Sequence, residues 1–243
     1  MILHTARDPA EAATLAAEQL ARVCAESCAA RGRAVIAVSG GETPWLMLAE
    51  FARHRLPWSA VHVTQVDERI AHADDPRRNL ARLRKILVEN GPLPEWNLLP
   101  LPVQALSEGP AGANAAAAAA EDYLAALSRL AGDPPVLDLV QLGLGADGHT
   151  ASLLPGDALL EERERDLGRS EVYQGLPRLT MTYPLLRRAR EVLWLVTGEA
   201  KREPLQALLA GRGDTPAVRL GRADATIIAD TAAVAMPDSG RNH

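Results

Sequence analysis

Short apolar runs recur along this chain, separated by longer stretches in which apolar positions return every three or four residues. Ala34–Val38 is one such run, and residues 60–66, 136–142, 191–197 and 225–229 repeat the pattern. Runs of this length, rich in Val, Ile and Leu, predict strands within a buried sheet. Asp8 and Pro9 supply a cap and a first-turn proline for a helix that precedes them all. Further helices are predicted from about Pro44, over 79–89, over 111–131 and over 199–209. Residues 115–120 of the fourth are all alanine, low in complexity but strongly helix-forming. The alternation predicts an α/β fold, a mostly parallel sheet with helices on both faces. No internal repeat or linker divides the chain, so residues 1–243 are expected to form one domain, with a frayed tail after Pro237.

Composition narrows the function classes. A net charge of -5 gives no electrostatic case for nucleic acid. Of the 26 basic residues only Lys85 and Lys201 are lysines, a bias that goes with the abundant alanine and reads as genome composition. Charged residues interrupt the N-terminal helix, so a signal peptide is not expected there, and no apolar run is long enough for a membrane span. Cys24 and Cys28 stand one turn apart on that helix, a poor spacing for a disulfide and too few ligands for zinc. They read as reduced, packing thiols of a cytoplasmic protein.

Candidate chemistry collects where predicted strands end, which is where open α/β sheets bind ligands. After Ala34–Val38 comes Ser39-Gly40-Gly41-Glu42-Thr43-Pro44. Its glycines allow close backbone approach, the following helix offers free N–H groups to an anion, and Thr43 adds a hydroxyl. The same pattern also serves as a plain tight turn, and Glu42 would repel a phosphate unless it points away. After residues 60–66 comes Asp67-Glu68-Arg69. Arg69 could grip a phosphate with its planar fork, yet three charges there could equally be a solvated strand cap. Downstream, residues 74–79 fit a turn and a helix cap.

The third loop, Gly143-Leu144-Gly145-Ala146-Asp147-Gly148-His149-Thr150, follows residues 136–142. Gly143, Gly145 and Gly148 match a dinucleotide-binding pattern. That pattern needs a long helix next, whereas Pro155-Gly156 would cut short a helix beginning near Thr150, and Asp147 would face the pyrophosphate. A nicotinamide site is therefore rejected. Acid–base work fits better. An imidazole titrates near neutrality and can take a proton from water, Asp147 could orient the ring, and backbone N–H groups could receive an oxyanion. A histidine that merely caps a short helix is the competing reading.

Taken in order, the three loops, with Asp74-Asp75 and Asn79, then Arg178-Leu179-Thr180-Met181-Thr182 and Thr197-Gly198-Glu199-Ala200-Lys201, resemble the 6-phosphogluconolactonase family over nearly the whole chain. The resemblance implies a Rossmann-like fold, no metal or organic cofactor, and hydrolysis of 6-phospho-glucono-1,5-lactone, a sugar-phosphate lactone, to 6-phosphogluconate in the oxidative pentose phosphate pathway. It makes His149 the base that activates water and Asp147 its support. Gly40, Gly41 and Thr43 would line the sugar-phosphate site, with Arg69 and Lys201 on the phosphate. Lys201 at a helix start suits an anion held between the two, although a snorkelling surface lysine has the same sequence signature. Arg169 and Arg178 are further candidates for phosphate or carbonyl contacts, and Asp67 is expected to organise Arg69 or a substrate hydroxyl. Arg78 stands where the family usually has serine, and Glu42 where it has a small or polar residue. No nucleic acid or membrane partner is implied, and a monomer and a homodimer are both compatible.

Glucosamine-6-phosphate deaminases resemble the chain in the Asp-Gly-His loop, but that family carries a glutamate five residues after the histidine, where this chain has Leu154. It also usually carries a tyrosine where this chain has Arg69. A non-catalytic sugar-phosphate sensor would usually add a helix-turn-helix. With the first strand expected near residue 34 and a single helix ahead of it, no place for one is expected.

Overall fold

The computed structural model describes residues 1–107 and 113–235. The expected helix start at 111 and the expected frayed tail after Pro237 lie outside them. In chain order the strands are β1 Ile2–Ala6, β2 Ala34–Val38, β3 Val61–Gln65, β4 Asp67–Arg69, β5 Leu98–Leu99, β6 Leu139–Leu142, β7 Leu167–Arg169, β8 Arg178–Met181, β9 Glu191–Val196 and β10 Thr226–Asp230. The α-helices are α1 Pro9–Arg31, α2 Glu42–Phe51, α3 Asn79–Arg84, α4 Gln104–Ser107, α5 Ala113–Ala131, α6 Tyr183–Arg188, α7 Arg202–Ala210, α8 Pro216–Leu220 and α9 Thr231–Val234. A π-helical turn, Lys85–Glu89, continues α3 and completes the helix expected over 79–89.

Among the described residues a seven-stranded sheet runs in the order β1-β10-β9-β6-β2-β3-β5, every pair parallel. Parallel strands with helical crossovers must be covered on both faces, and alternation along β2 does this. Val35 and Ala37 join a core with Tyr123 and Leu127 of α5, Tyr183 of α6 and Leu205 of α7. Ile36 and Val38 point the other way, into a core with Leu20 of α1 and Met47 and Phe51 of α2. Helix α1 starts as its sequence predicts: Asp8 accepts from the Glu11 N–H at 2.9 Å and Pro9 occupies the first turn. No described helix is long and apolar enough to cross a membrane.

Two features correct the expectation from sequence. The first strand is β1, not the run near residue 34. Among the described residues it pairs only with β10, at the sheet edge, and its largely exposed Ile-Leu-His-Thr-Ala lacks the apolar density of a central strand. The second is a small antiparallel sheet, β4-β8-β7. It grows off the carboxyl end of β3, where the Val66 N–H donates to Val38 and the Val66 carbonyl accepts from Met181. This sheet makes Asp67-Glu68-Arg69 a strand rather than a loop.

Candidate active site

Strand order reverses between β2 and β6: β3 and β5 lie to one side of the pair, β9 and β10 to the other. Loops leaving the two central strands therefore diverge and open a crevice at their carboxyl ends. The loop after β2 is pinned to β6 by Gln141, whose amide oxygen accepts from Ser39 N–H at 3.0 Å and whose carbonyl accepts from Ser39 Oγ at 3.1 Å. The resulting cavity of about 460 Å³ is lined by Gly40, Gly41, Thr43, Asp67, Arg69, His149, Arg178 and Lys201, among others. Residues distant in sequence thus meet on one wall or another of a single cavity.

The loop after β6 closes on itself. Gly145 N–H donates to the His149 carbonyl at 2.8 Å and Gly148 N–H to the Gly145 carbonyl at 3.0 Å. Gly148 adopts φ +80, and a Cβ there would overlap Thr215, so only glycine suits this turn. No helix follows, in contrast to the expectation near Thr150. Thr150 Oγ1 donates back to Gly143, Leu153 N–H donates to Thr150, and Ala151 between them takes the left-handed φ of 49°. The chain makes a tight turn, and the helix-cap reading of His149 falls with the helix.

His149 Nδ1 lies 2.6 Å from Asp147 Oδ1, which also accepts from the His149 backbone N–H at 3.1 Å. Asp147 is not among the residues lining the cavity, and a carboxylate on Nδ1 favours the tautomer that carries its proton there, with Nε2 free to accept one. Burial alone would raise the Asp147 carboxyl, but the His149 N–H and imidazole charge outweigh it and hold the group below its ordinary range.

On the opposite side, α2 begins at Glu42, two residues before the expected start, with Gly41 at its cap position and no side chain satisfying its first N–H groups. Thr43 Oγ1 lies 2.7 Å from Thr197 Oγ1, tying this helix start to the end of β9. Lys201 precedes α7 as its capping residue. Partial burial pulls its ammonium below the usual lysine range, against the opposing attraction of Asp147. The pairing of two cationic side chains, Arg69 and Lys201, with unpaired helix N–H groups suits a phosphate.

The small sheet sorts the remaining candidates by parity. Asp67 pairs with Thr180 and Arg69 with Arg178, so all four side chains share the face toward the cavity. Arg69 bonds to Asn79 Oδ1, and Asn79 Nδ2 reaches the Asp67 carbonyl at 3.2 Å. Among the described residues the Asp67 carboxylate shows no direct bond to Arg69, and it lines the cavity, where a substrate hydroxyl could meet it. It accepts from Ser152 Oγ at 2.5 Å and lies 3.8 Å from Arg178 Nη1, binding the turn after His149 to the small sheet. Arg178 is buried, which lowers its guanidinium against the pull of Asp67. Arg169 does not join them. It pairs with Leu179, whose side chain points away from that of Arg178, and it is exposed on the edge strand β7.

Tyr173, Gln174, Asn79 and Thr197 also line the cavity. Tyr173 and Gln174 carry no sequence motif for chemistry; the one available signal was a Gln-Gly turn beside an aromatic residue.

A model of glucosamine-6-phosphate isomerases/6-phosphogluconolactonase matches residues 7–228. The chain is 38% identical over 197 residues to a 6-phosphogluconolactonase of Synechocystis sp., covering 78% of this chain and 77% of that one. It is 37% identical to a 6-phosphogluconolactonase of Rhizobium meliloti, over 84% and 85% of the two chains. The structure of 6-phosphogluconolactonase from Trypanosoma cruzi superposes with a TM-score of 0.82 at 26% identity, over 96% of this chain and 95% of that one.

Proposed function

The chain belongs to the glucosamine-6-phosphate isomerase/6-phosphogluconolactonase family, and we propose that it is a carboxylic-ester hydrolase that opens 6-phospho-D-glucono-1,5-lactone to 6-phospho-D-gluconate in the oxidative pentose phosphate pathway. The observation that carries this reading is the His149–Asp147 bond of 2.6 Å in a loop whose histidine lines the same cavity as Arg69 and Lys201.

The phosphate sits against Arg69, Lys201 and the start of α2, with Gly40 and Gly41 giving it backbone clearance and Thr43 a hydroxyl. This places the lactone carbonyl toward the loop after β6. His149 Nε2 takes a proton from water, whose oxygen adds to the lactone carbon while the Asp147 carboxylate stabilises the imidazolium. Backbone N–H groups of the glycine turn, or Arg178, receive the charge on the carbonyl oxygen. As the tetrahedral adduct collapses, the bond from the carbonyl carbon to the ring oxygen breaks. The imidazolium returns its proton to that oxygen, giving a hydroxyl and a carboxylic acid, which ionises to the carboxylate by releasing its proton to solvent.

Deamination with isomerisation would need further acid–base groups. Leu154, buried and non-titrating, offers none at the position five residues beyond His149. The test is hydrolysis of freshly made 6-phosphogluconolactone above its spontaneous rate, beside His149→Ala. Rapid turnover lost in the variant is the expected result. Turnover that survives would move the base elsewhere, and no turnover in either protein would end the lactonase reading.

A further inference from the structure

Tyr173 and Leu176 form an antiparallel bridge, exchanging N–H···O bonds of 3.0 and 3.3 Å around Gln174 and Gly175. Both central residues have positive φ, 52° and 82°, as a two-residue hairpin turn requires. The turn thereby presents Tyr173 to the cavity between His149 and Arg178. The Tyr173 ring meets the His149 imidazole in a T-shaped contact, centroids 5.3 Å apart, and lies under the Arg178 guanidinium, whose Cζ is 4.9 Å from the ring centre. Gln174 Oε1 accepts from Arg178 Nη2 at 3.2 Å.

Neither partner is well fixed by its other contacts. Arg178 Nη1 reaches Ser152 Oγ only at 3.4 Å and Asp67 at 3.8 Å, and its Nε has no acceptor among the described residues. The imidazole has one side-chain hydrogen bond among the described residues, Nδ1 to Asp147, which sets its tautomer but leaves the tilt of the ring about that bond open. Glycine would meet the backbone demand at 174 with less strain, whereas glutamine brings the acceptor that Arg178 uses.

We propose that this turn is the positioning element of the site: Tyr173 sets the imidazole of His149 and the guanidinium of Arg178 relative to one another, and Gln174 completes the hold on Arg178. The proposal rests on the lactonase reading for the steps it serves. The ring, not the phenol hydroxyl, does the positioning.

Three variants test it: Tyr173→Phe, Tyr173→Ala and Gln174→Gly. Each is assayed for kcat and KM on 6-phosphogluconolactone, and the His149 imidazole protons are followed by NMR in the free protein, assigned against His149→Ala. Tyr173→Phe should keep kcat/KM within about threefold, and Tyr173→Ala should lose about tenfold or more. The imidazole resonances should shift in the Ala variant, which lacks the aromatic ring current, and hold in the Phe variant. Gln174→Gly should lower kcat with KM little changed, because Arg178 serves the charge that develops on the carbonyl oxygen. Wild-type kinetics and an unmoved imidazole in Tyr173→Ala overturn the proposal. So does a loss in Tyr173→Phe as large as in Tyr173→Ala, which would give the hydroxyl the role. If Tyr173→Ala does not fold, Tyr173→Leu replaces it under the same criteria. If the wild-type protein does not hydrolyse the lactone, the functional reading fails, and the NMR arm still decides the contact.

Discussion

Glu68 caps the helix that begins at Asn79 from eleven positions upstream, its carboxylate accepting from the Asn79 and Leu80 N–H groups at 2.8 Å each. The same carboxylate accepts from Arg69 N–H and Gln65 Nε2, both at 2.8 Å, and lies 3.7 Å from Arg78 Nε. Its two neighbours in sequence face the cavity while it faces inward, because β4 alternates. Arg78, which departs from the family pattern, is buried beside this hub. Glu68→Gln turns an amide N–H₂ toward a ring of donors and strands a buried guanidinium. It should cost about 3 kcal/mol, read as a lowered urea midpoint, since breaking a buried pair typically costs that much. A loss under about 1 kcal/mol would show that the hub is not what holds α3.

This relationship marks where sequence reading succeeds and stops. The central strands were legible because β2, β6 and β9 are buried on both faces and their apolar density has one structural explanation. The loops after β2 and β6 were legible for the same reason, since glycine and titratable residues stand out against such strands. Short strands escaped. Asp67–Arg69 and Leu167–Arg169 carry little apolar signal, and β1 is an edge strand with its side chains largely exposed. Without β4 the parity that separates Glu68 from Asp67 and Arg69 is invisible, and without β7 so is the outward turn of Arg169. Side-chain tethers between remote loops, Asp67 to Ser152 and Thr43 to Thr197, leave no trace in local pattern.

Asp147→Asn should lower kcat by at least about tenfold with KM little changed. The carboxylate bonds Nδ1 and so selects the tautomer with Nε2 free, and an amide can select the other. Loss of the negative charge also makes the imidazolium less favourable. The acid limb of the rate profile, where the base becomes protonated, should therefore move to lower pH. A loss of less than about twofold, with the limb unmoved, would leave His149 acting alone.

Lys201 should impose an alkaline limit on binding. Its ammonium grips phosphate only when protonated, and burial places its pKa below the usual lysine range in the free protein. Affinity is thus fully present below that pKa and falls as pH rises through it, earlier than an ordinary lysine would allow. Titrating 6-phosphogluconate from about pH 7 to about pH 10 should show this decline. Lys201→Ala should weaken binding about tenfold or more at neutral pH and flatten the profile. Lys201→Arg, charged throughout, should hold its affinity to higher pH. A profile identical in Lys201→Ala and wild type would remove Lys201 from the phosphate.

Gly145→Ala separates catalysis from stability. A Cβ at this position would overlap His149 Nδ1 and stand 2.5 Å from Asp147 Oδ1. The backbone of Gly145 is not in the left-handed region, so alanine brings no dihedral strain of its own. The obstruction is the far end of two side chains, both partly exposed and free to swing aside. The fold should therefore tolerate the substitution, with a change in stability below about 1 kcal/mol. The imidazole cannot move without leaving the place where its Nε2 meets water, and misplacement of about 1 Å costs on the order of a hundredfold in rate. The expected outcome is kcat reduced at least tenfold beside an unchanged melting curve and undiminished binding of 6-phosphogluconate, because the atoms the new methyl meets first belong to His149 and Asp147 rather than to Arg69, Lys201 or the start of α2. Full activity in Gly145→Ala would mean that the ring works from a different position, and the Asp147 bond would lose its place in the mechanism.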